Sequence, residues 1–245
     1  MMKGPRVIVT GATGLIGRSL VAALASRGFS SVAISRSGRP VAGAAESVAC
    51  DFLDPTARDA ALHRARATHL VHLAWADGKD RWSSPDNDLW ADATVALVRD
   101  FARCGGTRAV CVGSCAEYDW SASLLSEITP LRPTTRYGQA KVRAFHETAR
   151  LAGELGLVLA WARPFFVYGP GEPEGRLIGD LVRGLRAGRE VACTDGLQQR
   201  DYLFVDDLAR GLALLLDSPM AGAVNIASGN AIAVRDLITE VARQI

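Results

Sequence analysis

A tyrosine and a lysine stand four residues apart in "YGQAK", from Tyr137 to Lys141. On a helix those positions share a face, so a phenol and an ammonium would sit together as a proton-transfer group and the charge that tunes it. A free phenol has a pKa of about 10 and a nearby ammonium favours its ionised form; lowering it by about 3 units takes roughly 4 kcal/mol. The same spacing also suits an ordinary helix-surface pair. A second constellation is "TGATGLIG", residues 10–17, with Gly11, Gly14 and Gly17 between an apolar run and a helical pattern. Small residues there permit a tight turn and close approach of a pyrophosphate, and the helix start offers free N–H groups. A glycine-rich turn with no ligand is the plainer reading. A third is "AISRSGR", where Ser35 stands at the position of the carboxylate that takes a ribose 2′-hydroxyl in NAD binders. No acidic residue occurs between Gly11 and Glu46. Arg36 could grip a 2′-phosphate that a carboxylate would repel, which favours NADP(H) over NAD; solvated Arg36 and Arg39 are the alternative. Asp51 could accept from an adenine amine or serve a strand-end turn.

The elements that must position these groups alternate. Apolar runs at 6–11, 31–35, 47–50, 69–75, 108–114 and 157–163 read as strands, and 15–27, 56–66, 87–103 and 137–155 read as helices. That alternation predicts an α/β fold with a doubly wound parallel sheet of Rossmann type. From Pro164 onward "RPFFVYGPGEPEG" reads as a loop leaving the sheet. It is followed by a helix at 175–187, a short strand near 190–193, a helix at 205–216, a strand at 223–228 and a helix at 232–244. The expected division is a dinucleotide-binding domain over 1–163 with 196–218 packing back on it. Residues 164–195 and 219–245 form a small C-terminal substrate lobe.

Composition narrows the class. The chain has 245 residues, 49% of them hydrophobic, and a net charge of +2 from 28 basic and 26 acidic residues without any basic run. That supports a sizeable core and gives no nucleic-acid footprint. The N-terminal apolar stretch is too short for a signal-peptide core or a membrane span. The five cysteines form no C-x-x-C pair, and they read as reduced thiols of a cytoplasmic protein with no metal site.

"TGATGLIG", "HLAW" (72–75), "GSCAEY" (113–118), "YGQAK", "RPFFVYGPG" (163–171) and "RDYLFVDDLA" (200–209) occur in this order. The set resembles the extended short-chain dehydrogenase/reductases, the nucleotide-sugar epimerase/dehydratase family, over nearly the whole chain. The resemblance implies Tyr137 as general acid/base, Lys141 as its partner and a hold on the nicotinamide ribose, and Ser114 as a hydrogen-bond donor to the same substrate oxygen. It implies a cofactor site along Gly11, Thr13, Gly14, Leu15, Ile16 and Gly17, then Ser35, Arg36, Asp51 and Phe52, then Leu73, Ala74 and Trp75 (equally readable as core), with Tyr137, Lys141 and Pro164. The implied substrate contacts are Ser114, Cys115, Ala116, Phe166 and Arg200, the last matching an arginine that binds the nucleotide diphosphate. A salt bridge from Arg200 to Asp201 or Asp207 is its structural alternative.

Two departures matter. Cys115 and Ala116 occupy the positions of the Asp–Glu pair that dehydratases use, which sets 4,6-dehydration aside. Phe166 replaces an asparagine that contacts substrate phosphates in relatives. Glu117 and Asp119 lie at the wrong offsets and are expected to face solvent or cap the loop. Trp82, Trp90 and Trp120 could form a hexose platform or simply pack; the four histidines take no role. Relatives continue past the equivalent of Ile245, so the lobe is expected to be minimal, incomplete or completed by a partner. The resulting expectation is an NADP(H)-dependent reductase of a keto-sugar nucleotide, as a homodimer. An epimerase with tightly bound NAD(P) is the runner-up, and a non-catalytic NADP-binding or scaffold protein is the third reading.

Overall fold

The computed structural model describes residues 4–76, 78 and 80–245. Its frame is a seven-stranded, all-parallel sheet in the order β3-β2-β1-β4-β5-β6-β9. The strands are β1 Arg6–Thr10, β2 Ser30–Ser35, β3 Glu46–Ala49, β4 His69–His72, β5 Arg108–Val112, β6 Val158–Pro164 and β9 Gly222–Ile226. Strands buried on both faces need apolar side chains at consecutive positions. In β1, Ile8 joins one core while Val7 and Val9 join the other. The first core is closed by α2 Pro55–Ala65, α3 Asp86–Arg103 and α4 Arg136–Leu155, with Leu62, Leu97, Phe101 and Ala144 against Ile34, Leu70 and Trp161. The second is closed by α1 Leu15–Ser26 and α6 Val205–Leu216, with Leu20, Leu24, Leu208 and Leu212 against Val71 and Val110.

A three-stranded sheet in the order β10-β8-β7 lies apart from the large one. It contains β7 Phe166–Tyr168, β8 Gln199–Phe204 and β10 Ala231–Ala233, accompanied by α5 Leu177–Arg186 and α7 Val234–Gln244. Two expectations need correction. β9, from the stretch assigned to the lobe, pairs with β6 and extends the large sheet. Residues 190–193 form no strand, because Glu190, Ala192 and Cys193 are exposed with no partner strand to pair with.

The strand order reverses between β1 and β4, and open α/β sheets bind ligands at such a crevice, outside the strand C-termini. The Thr10 hydroxyl holds this crevice in shape by accepting from the backbone N–H groups of Leu73 and Ala74, each at 3.1 Å. With its lone pairs so used, Thr10 donates to His72 Nδ1 at 2.8 Å. His72 therefore carries its proton on Nε2 and donates to Thr94 Oγ1 at 2.9 Å, and Thr94 passes a bond to the Trp90 carbonyl. Burial, then the Lys141 charge, push the His72 pKa down to about 3.

A histidine that ionises near 6.5 when unfolded and near 3 when folded adds stability above the unfolded value, and that stability is lost as pH falls toward the folded one. We expect about 3 kcal/mol to disappear between pH 6.5 and pH 4 from this group. Urea unfolding across that range should show the slope in the parent protein and a flatter one in His72→Asn.

Candidate active site

The glycine turn is built as its sequence requires. Gly11 adopts φ +66°, a conformation that strains other residues. A Cβ on Gly17 would fall 2.4 Å from the Gly11 carbonyl oxygen, so only glycine lets α1 approach the turn this closely. Gly14 is the N-cap of α1 with no side-chain cap bond, which leaves the helix N–H groups directed at the crevice. Thr13, Leu15 and Ile16 are half-buried around it. Ser35 ends β2, and its hydroxyl accepts from Gly38 N–H at 3.1 Å. Arg36 and Asp51 are exposed together on one pocket with Leu53, Ala76 and Trp90. Asp51 also accepts from Leu53 N–H at 3.0 Å, so the strand-end turn is real.

Phe52 does not line the crevice. Its ring is 3% exposed in the core, and its carbonyl is held by the buried Arg58 guanidinium at 2.9 Å. Trp75 has a definite place instead of a general one: its indole N–H donates to Asn87 at 2.8 Å, and its face lies 3.5 Å from Lys141 Nζ. Pro164 closes β6 at the ligand edge, buried and in register with Ile226 of β9.

Tyr137, Lys141 and Ser114 converge at the ends of β5 and α4. Thr135 caps α4 through Gly138 N–H at 3.1 Å. A Cβ on Gly138 would fall 2.5 Å from the Ala116 carbonyl oxygen, so the glycine of "YGQAK" lets the helix start against the Ser114 turn. The half-buried Tyr137 ring stands edge-on to Trp75 and Trp82, with centroids 6.3 and 5.3 Å away. Trp82 is thus a wall for Tyr137, which differs from a free sugar platform. The Ser114 hydroxyl is near enough to the phenol to lower its pKa somewhat.

The lysine does not by itself lower the phenol's pKa. Burial pushes it up to about 12, against a smaller lowering by Ser114. Lys141 is 3% exposed, its Nζ lies 5.8 Å from the Tyr137 ring centroid, and it donates to the Val112 carbonyl at 2.8 Å. Burial pushes Lys141 down to about 7, against an opposing pull from Glu117. Low dielectric favours the neutral form of each group, and burial is the largest cause of both shifts.

Glu117 caps the Ser114 turn, one of the two roles expected of it, but from the interior and not from the surface. It is fully buried, at 0% exposure. It accepts from Ser114 N–H at 2.8 Å, Trp161 Nε1 at 3.0 Å and Arg163 Nε at 2.6 Å. Cys115 is buried as well, its thiol pushed up to about 12 by burial, and Ala116 is half-buried. Asp119 caps its own loop through Ser121.

Farther out, the Arg200 guanidinium lies 4.7 Å from the Trp120 ring centroid and 5.4 Å from that of Phe166, which also packs on Tyr202. Asp201 accepts instead from Ser228 and Gly229 N–H, and Asp207 pairs with Arg210, so neither takes the alternative bridge to Arg200. Away from this site, Asp59, His63 and Cys104 bring potential metal-ligand atoms within 4.8 Å of one another near the protein surface. Among the described residues no helix is long and apolar enough to cross a membrane.

A Rossmann sheet with a glycine turn at its switch point and a Ser–Tyr–Lys cluster beside it defines a nicotinamide-dependent oxidoreductase of the extended short-chain dehydrogenase/reductase class. The chain belongs to the NAD dependent epimerase/dehydratase family, matched over residues 7–227. It is 32% identical to a 3-diazoavenalumate denitrifying reductase of Streptomyces sp, over 90% of this chain and 75% of that protein. It is 29% identical to a dTDP-4-dehydro-6-deoxy-D-allose reductase of Streptomyces bikiniensis, over 96% of this chain and 79% of the relative. The solved structure of MoeE5 in complex with UDP-glucose and NAD superposes with a TM-score of 0.87 at 30% identity, covering 98% of this chain and 81% of MoeE5.

Proposed function

We propose that this protein reduces the carbonyl of a keto-sugar nucleotide with NADPH. One observation carries the reading: Tyr137 and Lys141 meet at the end of β5 beside the Ser114 turn, with Lys141 on the Val112 carbonyl and Gly138 against the Ala116 carbonyl, and the phenol is protonated at neutral pH. A reduction needs a proton donor at the carbonyl oxygen, and a neutral Tyr137 is one. Ser114 donates to the same oxygen as charge develops on it. Ser114 is pre-set for this, since its Oγ already accepts from Ala116 N–H at 3.1 Å and retains its own hydrogen to donate. Lys141, held by Val112 and the Trp75 face, presents its remaining donors to the ribose side of the crevice.

The cofactor fits the chain. Gly11 and Gly17 let the turn and α1 pack tightly, and the uncapped start of α1 at Gly14 leaves helix N–H groups for a pyrophosphate, with Thr13, Leu15 and Ile16 around it. When bound, the nicotinamide supplies the hydride. Ser35 and Arg36 in place of a carboxylate support NADP(H) over NAD. Arg36→Ala should lower the NADPH-over-NADH ratio of kcat/KM about 10- to 100-fold, since a charge-assisted hydrogen bond contributes about 1.5–3 kcal/mol. An unchanged ratio would remove Arg36 from the 2′-phosphate site.

The reductase name of the Streptomyces bikiniensis relative supports the substrate class. We assign the sugar-nucleotide contacts to the small sheet and its helices, with Arg200 and Phe166 at their inner edge. An epimerase remains the second reading, because the family description covers epimerases and the same residues would serve. A homodimer through α3 and α4 completes the proposal, and sedimentation velocity tests it. The experiment for the substrate is a thermal-shift screen of NAD, NADP and a panel of nucleotide sugars, in which a ligand stabilises with the logarithm of its concentration over Kd. Shifts with NADP and a keto-sugar nucleotide support the reading; a shift with neither opposes it.

A further inference from the structure

We propose that Glu117 is the anionic post of this site, clamping the Ser114 turn and placing a buried negative charge beside the Ser114–Tyr137–Lys141 cluster. The inference rests on the reductase reading for what Ser114 and Tyr137 do, and its test does not require a substrate.

The geometry is specific. Ser114 and Glu117 cap each other: the Ser114 hydroxyl accepts from Ala116 N–H, and Glu117 Oε1 accepts from Ser114 N–H. The chain makes room for this at Gly113, where a Cβ would fall 2.2 Å from Glu117 Oε1 and 2.1 Å from Trp161 Nε1. A carboxylate at this depth survives only if fully paired, and Trp161 and Arg163 supply the pairing from β6. Arg163 is in turn fixed by the Tyr118 hydroxyl at 3.1 Å, and Tyr118 by Asn225 of β9 at 2.7 Å. The Ser114 backbone is thus tied through one carboxylate to two strands of the sheet.

The charged and titratable groups around Lys141 give Glu117 its second role. His72 from β4 is neutral, with its pKa near 3, and Cys111 from β5 is a thiol pushed up to about 12 by burial. Tyr137 on the same helix is protonated, and Cys115 in the turn is a thiol. Arg163 from β6 is the counter-ion of Glu117, while Arg81 and Arg176 face Tyr137 from the mouth. Of these groups only Glu117 is anionic. Its charge opposes the burial that lowers Lys141 and adds to the burial that raises Tyr137. Removing that charge lowers both and leaves Arg163 to repel the ammonium further.

The sequence makes the test direct, because it contains three lysines, Lys3, Lys79 and Lys141. Protein labelled with ¹³C-lysine gives a resolvable Lys141 signal, assigned by its loss in Lys141→Arg. Lys141 should titrate near neutrality in the parent, at least one unit lower in Glu117→Gln, and within half a unit of the parent in Glu117→Asp. A Glu117→Gln titration equal to the parent's overturns the charge role, which a merely structural residue would not have.

Glu117→Asp keeps the charge and shortens the reach, so exchange of the Ser114 amide hydrogen should speed tenfold or more, and kcat should fall at least tenfold with KM within threefold. Unchanged Ser114 exchange overturns the clamp. If Glu117→Gln fails to fold, the Glu117→Asp exchange decides. If both NMR results hold while the parent turns over no keto-sugar nucleotide, the functional reading fails and the post stands.

Discussion

Replacing Tyr137 by phenylalanine should lower kcat between about 10²- and 10⁴-fold, the span a positioned general acid contributes. KM and NADP affinity should stay within about threefold, because the phenyl ring keeps the edge contacts to Trp75 and Trp82 that hold it. The expected signature is therefore a pure kcat effect. Burial holds the phenol protonated up to about pH 12, so the parent's proton donor is intact across the neutral range. Full activity in Tyr137→Phe would leave the cluster as architecture and favour the binding-protein reading.

The second large effect concerns stability. Arg163 and Glu117 are 1% and 0% exposed and bonded at 2.6 Å. Arg163→Met strands a buried carboxylate, and breaking one side of such a pair costs about 3–5 kcal/mol. For a chain of this size that corresponds to a fall in Tm of roughly 6–20 °C. Trp161 and the Ser114 amide remain as donors but bring no positive charge. Replacing both members, Glu117→Gln with Arg163→Met, should cost less than the sum of the single changes. A loss below about 1 kcal/mol for Arg163→Met alone would mean that water or rearrangement already screens the pair.

What could be read from the sequence was what is local. The glycine turn, the i,i+4 relation of Tyr137 and Lys141, and Ser114 at a strand end each depend on residues within a few positions. The fold class followed from the same local alternation. What escaped depends on distant partners. Glu117 looked like a loop acid because Trp161 and Arg163 lie 44 and 46 residues away. Thr10 shapes the crevice through residues 62 to 64 positions on, which no motif announces.

Other misses have the same origin. Phe52 follows a strand whose end leaves open which way a ring turns, and Arg58 and the core claimed it. β9 joined the large sheet because β6 offered an unpaired edge, a fact of topology. The direction in which burial moves the Tyr137 pKa is not legible in the sequence, for an electrostatic reason. The sequence gives proximity of the lysine, but the depth of burial, which decides the balance between desolvation and charge, is set by the whole fold.

The most direct measurement is product analysis with purified protein, NADPH and a dTDP-4-keto-6-deoxyhexose, following both nicotinamide absorbance and the sugar by mass spectrometry. The account predicts equimolar loss of NADPH and gain of a sugar two hydrogens heavier, both suppressed in Tyr137→Phe. Interconversion of sugar epimers with no net NADPH consumption, or no turnover of either, would contradict it.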